Sequence, residues 1–209
     1  MPRKRTTPKP PPPITERLLA LVRQRRLIRP VEVADAGATR QHLARLLTRG
    51  LIVRHARGLY GLPDADMTEH HSLAEACKRV PHGVVCLLSA LHFHDLGTQL
   101  PAEVWLAVPR AAWRPKPATL RLRLIFLPDT ALRRSVETHV IEGVSVHVFS
   151  AARTVADCFK FRSKVGVDVA IEALRELRRR KLATSDQIWR EARHCRVANV
   201  MRPYLEVIS

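Results

Sequence analysis

The chain is short of acid, glycine, cysteine and long apolar runs, and each shortage closes a class of function. Nineteen Asp and Glu stand against 36 Lys and Arg over 209 residues, a net charge of +17. An imbalance of that size calls for a polyanionic partner, most simply nucleic acid, and says nothing about fold. The eight glycines are scattered, so no glycine-rich loop is available to cradle a phosphate and no G-x-S-x-G elbow to present a serine nucleophile. The four cysteines, Cys77, Cys86, Cys158 and Cys195, form no C-x-x-C pair, and H-E-x-x-H is absent. This is the usage of free, mostly buried thiols in a reducing, cytoplasmic setting rather than of a zinc site or a disulfide framework. No apolar run approaches the roughly 18–20 uncharged residues that span a bilayer, and prolines rather than an apolar stretch follow the first basic residues, unlike a secretory signal.

What is present is unevenly placed. Residues 1–63 hold 14 Lys and Arg but three Asp and Glu, so +11 of the net charge lies there and +6 in the remaining 146 residues. The asymmetry predicts a small basic domain followed by a larger, nearly balanced one. Hydrophobic residues make up 46% of the chain, enough for packed cores in both. Residues 1–13 are almost wholly Pro, Lys, Arg and Thr. They are expected to form a disordered basic arm whose Arg3, Lys4 and Arg5 either track DNA or merely solubilise the chain.

Residues 14–63 read as a winged helix-turn-helix. Thr15 is the expected cap of a first helix in which Leu18, Leu19 and Val22 recur at helical spacing. Leu27 to Pro30 reads as extended, and Val31 to Ala36 as a second short helix ended by Gly37, with Val31, Val33 and Ala34 towards the core. Thr39 then caps a third helix, Arg40 to Arg49, closed by Gly50. Leu43, Leu46 and Leu47 at i, i+3 and i+4 form its buried stripe. That leaves Arg40, Gln41, Ala44, Arg45 and Thr48 on the free face. Arg can bond guanine bidentately and Gln adenine, so this is the expected recognition helix. Leu51 to Val53 and Leu59 to Leu62 form the expected wing, with Arg54 and Arg57 at its tip and Arg49 beside it, towards phosphates. The alternative is a small helical domain with a solvated basic face.

Residues 64–209 read as helix, then strands, then helices, so the chain as a whole is expected to be α+β. Helices are expected at His70 to Arg79 and Val84 to Leu96. Strands follow at Val104–Val108 and Leu120–Leu127, then a hairpin at Val136–Ile141 and Val144–Phe149 across Glu142-Gly143. Further helices run from Ser150 to Phe161, Val167 to Arg180, Gln187 to Cys195, and from Ala198. His92, His94 and Asp95 are the best metal candidates, but two facing ligands are too few for a zinc site. Neither a metal, another cofactor nor a catalytic residue is therefore assigned. Arg153 and Asp157 sit at i, i+4 near a helix start: a cap and salt bridge, or a polar contact for a protein partner. The basic stretch with Arg178 and Arg179 is a solvated helix end, a second nucleic-acid patch or a surface for an acidic partner.

The order Thr39-Arg40-Gln41-His42-Leu43, Leu46-Leu47-Thr48-Arg49-Gly50-Leu51-Ile52 and Gly58-Leu59-Tyr60 resembles the winged helix of the AbiEi antitoxins of type IV toxin–antitoxin systems. Ser89-Ala90-Leu91-His92, Val104-Trp105-Leu106-Ala107-Val108-Pro109 and Ala152-Arg153-Thr154-Val155-Ala156-Asp157-Cys158-Phe159 are similar to the later part of that family. The resemblance covers about residues 15–195. It implies a DNA-binding autorepressor on inverted repeats of its own operator, monomeric or weakly dimeric on DNA, with a C-terminal antitoxin domain that counters a cognate nucleotidyltransferase toxin. No membrane partner is expected, since no run is apolar enough to span a bilayer. The proline-rich arm is outside the family pattern. Two rival expectations remain: a ligand-controlled winged-helix regulator, and a metal-dependent nucleic-acid enzyme using His92, His94 and Asp95.

Overall fold

A computed structural model describes residues 13–56, 58–63, 69–112 and 120–207. The chain divides into two compact units, Met1–Asp66 and Met67–Ser209.

In the first unit, α1 (Ile14–Arg25) is preceded by Pro13, whose carbonyl accepts from the Arg17 N–H, so the helix starts one residue ahead of the expected Thr15 cap. Leu18 and Val22 are its buried positions. β1 (Leu27–Ile28) leads into a 3-10 helix, Pro30–Ala36, over the segment where a second short helix was expected. Its tighter pitch changes the buried set: Val33 and Ala36 face inward, while Val31 and Ala34 are exposed. Gly37 (φ 67°) ends it, its N–H donating to the Ala34 carbonyl. α2 (Arg40–Thr48) follows and closes through Gly50 (φ 66°), with the Leu51 N–H returning to the Leu46 carbonyl. These are left-handed positions that glycine takes at no steric cost. β2 (Val53–Ala56) and β3 (Leu59–Gly61) form an antiparallel hairpin in a three-stranded sheet ordered β1-β3-β2. Leu18, Val22, Ile28, Val33, Leu43, Leu46 and Ile52 make one core.

The second unit is built on a five-stranded mixed sheet. Its strands are β4 (Val84–Val85), β5 (Val104–Pro109), β6 (Leu122–Leu127), β7 (Val136–Ile141) and β8 (Val144–Phe149), in the order β6-β5-β4-β8-β7. β5 pairs with β6, and β4 with β8, in parallel; β4–β5 and β7–β8 are antiparallel. All of Val104 to Val108 is buried, so both faces of β5 are covered, which is why its sequence runs apolar without alternation. Besides α3 (His71–Arg79) and α4 (Leu87–Phe93), the helices are α5 (Asp129–Leu132), α6 (Ala151–Lys160), α7 (Arg162–Val165), α8 (Val167–Arg179), α9 (Ser185–His194) and α10 (Ala198–Val207). α6 is central: every residue from Ala151 to Phe159 is buried, and it packs on α4, α8 and α9. The expected single helix over Val84 to Leu96 is instead a strand followed by a shorter helix. Val84 and Val85 are taken into the sheet by pairing with Ala107 and Leu106, an outcome that apolar periodicity cannot separate from helix. The chain is α+β.

Candidate nucleic-acid interface

α2 owes its placement to Leu43 and Leu46, both buried, with Leu47 half-buried beside them. At 100° per residue, Arg40, Gln41, Ala44, Arg45 and Thr48 then share an arc of about 140° on the other side; all five are exposed, as is Arg49 just beyond the helix. The side chains of Arg40, Gln41, Arg45 and Arg49 make no hydrogen bond or ion pair among the described residues. Their donors face outward from a helix held by its buried leucines.

The remaining expected site residues do different work. The Thr39 hydroxyl lies 2.8 Å from His42 Nδ1, and the Thr39 backbone N–H donates to the same nitrogen at 3.2 Å. His42, which the sequence reading passed over, thus closes the capping box from inside the helix, a role usually filled by Glu or Gln. Thr39 thereby fixes the start of α2. The Thr48 hydroxyl donates back to the Ala44 carbonyl at 3.1 Å, which engages its hydrogen. Arg54 is exposed within β2, opposite Tyr60, rather than at the hairpin tip where it was expected, because the strand continues to Ala56. Arg57 and the arm residues Arg3, Lys4 and Arg5 lie outside the described residues.

Two of the three carboxylates between residues 13 and 63 are turned to structural use. Arg25 Nη1 lies 3.1 Å from Glu32 and 2.8 Å from Asp35, tying α1 to the 3-10 helix. Glu32 also accepts from the Arg29 N–H at 2.7 Å. Their charge is spent on Arg25 and on a helix start, so the positive field of the α2 face is left largely uncompensated. At the hairpin, a Cβ on Gly61 would stand 2.7 Å from the Arg26 carbonyl, so the strand pair admits only glycine there.

Helix, glycine turn, second helix with an exposed polar face and antiparallel hairpin follow one another in the order of a winged helix-turn-helix. Residues 16–63 match the AbiEi_4 family of antitoxin transcriptional regulators. The match covers under a quarter of the chain and spans α2 and the β2–β3 hairpin. No curated protein matches the chain.

The second unit deals differently with its candidates. His94 Nε2 bonds the Phe149 carbonyl at 2.8 Å, and burial lowers its pKa, so it is a neutral packing histidine. His92 Nε2 is 3.6 Å from Glu69, and Asp95 Oδ2 is 3.6 Å from Arg180. Among the described residues no three His, Cys, Asp or Glu gather as metal ligands. All four cysteines are free and buried; burial pushes the Cys77 and Cys195 thiols up to about 12, and those of Cys86 and Cys158 upward as well. None is a ready nucleophile at neutral pH.

Arg153 is not a surface contact for a protein partner. It is 1% exposed, its Nε donates to Asp157 at 2.7 Å, and its guanidinium lies over the Phe149 ring. Burial works against its charge, but the Asp157 carboxylate outweighs that and raises its pKa. Arg178 donates to the Ser185 hydroxyl, and Arg179 forks onto Glu176 in an exposed i, i+3 pair.

Proposed function

We propose that this protein is a transcriptional autorepressor and antitoxin, in which Arg40, Gln41 and Arg45 read bases in a major groove while Arg49, Arg54 and Arg57 contact phosphates. The carrying observation is the α2 face: three exposed guanidinium or amide side chains on one arc, unpaired among the described residues and backed by a rigid leucine stripe. Its target is duplex DNA at inverted repeats in its own operator, with the arm residues Arg3, Lys4 and Arg5 adding contacts along the duplex. The domain plan is a basic arm at 1–13, the DNA-reading module at 14–63 and an antitoxin domain at 64–209. In that plan Arg178, half-buried, and Arg179, exposed, both on α8, belong to the surface that meets a cognate nucleotidyltransferase toxin.

Fluorescence anisotropy of the full chain on DNA from upstream of its own reading frame tests the first half. Binding should exceed that of scrambled DNA, and Arg45→Ala should remove most of the difference. Equal affinity for the two DNAs would refute it. Co-expression with the neighbouring reading frame tests the second half: growth rescue supports the antitoxin assignment, and rescue that survives deletion of residues 67–209 removes it from the C-terminal unit.

A further inference from the structure

The strongest unused feature is a cavity of about 720 Å³ in the C-terminal unit. Arg110, Arg134, Arg153, Lys160, Arg162 and Arg196 line it, from segments up to 86 residues apart, and no lining residue is acidic. His194, Cys195 and the Thr130 side chain complete its polar wall, while Pro128, Ala131 and Val197 are apolar.

Two of its donors are stranded. Arg153 Nη1 and Arg134 Nε are buried with no hydrogen-bond partner among the described residues. Asp157 takes Arg153 Nε through one carboxylate oxygen, and its other oxygen accepts from the Cys195 thiol at 3.3 Å. Glu191, the other buried carboxylate nearby, accepts from the Ser135 hydroxyl at 2.7 Å through Oε1, while its Oε2, 4.0 Å from His194, has no hydrogen-bond partner among the described residues and its charge favours the Arg153 cation. Arg110, Arg134, Lys160, Arg162 and Arg196 have no ion pair among the described residues. A buried donor without an acceptor costs about 1–3 kcal/mol, and converging like charges add repulsion. An anion entering the cavity relieves both.

We infer that this cavity binds a small phosphorylated ligand of the polyphosphate class, with the Arg153 guanidinium at its buried end and Arg162, Arg196 and Lys160 at its mouth. Its volume is that of a small-molecule site. A polyphosphate concentrates several charges over a few ångströms and matches clustered guanidinium forks. A duplex backbone reaches exposed cations, but Arg153 at 1% exposure is reached only by a group that enters. An acidic peptide spreads single charges along its length and is the poorer match. This site is independent of the DNA-reading proposal and gives the ligand-controlled reading of the chain a place to act.

Isothermal titration calorimetry of the full chain, in EDTA and at roughly physiological salt, tests it with inorganic pyrophosphate and with ATP. Saturable one-site binding is expected. Tighter binding of ATP assigns a nucleotide, and equal or tighter binding of pyrophosphate assigns a bare polyphosphate. Because Arg153 variants risk misfolding, the decisive variant is the exposed pair Arg162→Glu with Arg196→Glu. It should weaken binding by about tenfold or more, equivalent to about 1.4 kcal/mol. Arg175→Glu with Arg179→Glu, the same charge change elsewhere in the unit, should leave binding intact, as should Arg40→Ala with Arg45→Ala. No saturable binding of either probe, binding indifferent to Arg162 and Arg196, or capture of duplex DNA or an acidic peptide in place of both probes would overturn the inference.

Discussion

The two units hold their positive charge in opposite ways. On α2 the cations are exposed, ride on a convex helix face, and make no hydrogen bond or ion pair among the described residues. In the C-terminal unit they line a hollow, and one of them, Arg153, is buried on a carboxylate. An exposed face of arginines suits a long polyanion whose phosphates recur along a surface. A hollow suits a compact anion that leaves water behind. Net charge alone, +17 for the chain, does not distinguish the two; only burial and partners do.

The contrast breaks most readily at the buried end. Asp157→Ala should cost the C-terminal unit about 3–5 kcal/mol, because it strands a buried guanidinium; urea unfolding followed by far-UV circular dichroism reads this, and a loss below 1 kcal/mol would mean that the pair is solvated. Leu46→Ala, beneath the recognition face, should cost the N-terminal unit about 2–5 kcal/mol and lower operator affinity through loss of the helix platform, while leaving the far-UV signal of the other unit in place. On the face itself, Arg45→Ala should leave stability unchanged and cost about 1–3 kcal/mol of operator affinity with relaxed sequence preference. Arg49→Ala and Arg54→Ala should weaken binding to all duplexes alike and reduce the salt slope by about one each, measured by anisotropy across a salt series.

The smallest expected effect concerns pH. Burial lowers the His94 pKa below 6.5, so on acidification the unfolded chain takes up its proton first. Stability conferred by neutral His94 is complete above the unfolded value and is lost as pH falls through it towards the folded value. Urea midpoints should therefore fall on the acid side of 6.5, and His94→Gln, where it folds, should flatten that slope. An unaltered slope would mean that His94 is not the titrating group.

What was legible in the sequence follows from locality. The helix Arg40–Thr48 and its exposed face could be read because Leu43, Leu46 and the capping Thr39 are close in sequence, and a leucine stripe leaves only one free face. The hairpin at Glu142-Gly143 could be read for the same reason. Val84 and Val85 could not, because their strand exists only through partners near residues 106 and 148. Nor could the starting point of α1, since Pro13 precedes the better capping residue, or the outward turn of Val31, which depends on a 3-10 rather than an α pitch. The basic cavity was invisible for a stronger reason: Arg110, Arg134, Arg153 and Arg196 come together only when the sheet and the helices around α6 are assembled. The i, i+4 spacing of Arg153 and Asp157 showed the pair but not its burial.

The central claim is that the exposed face of α2 reads DNA. Its most direct test is anisotropy of the full chain on duplex from its own upstream region, parent against Arg40→Ala with Arg45→Ala, at low ionic strength. Tight binding by the parent, with the variant reduced to the level both show on scrambled duplex, is the expected result. Indistinguishable curves for the two proteins, or no binding by either, would contradict it.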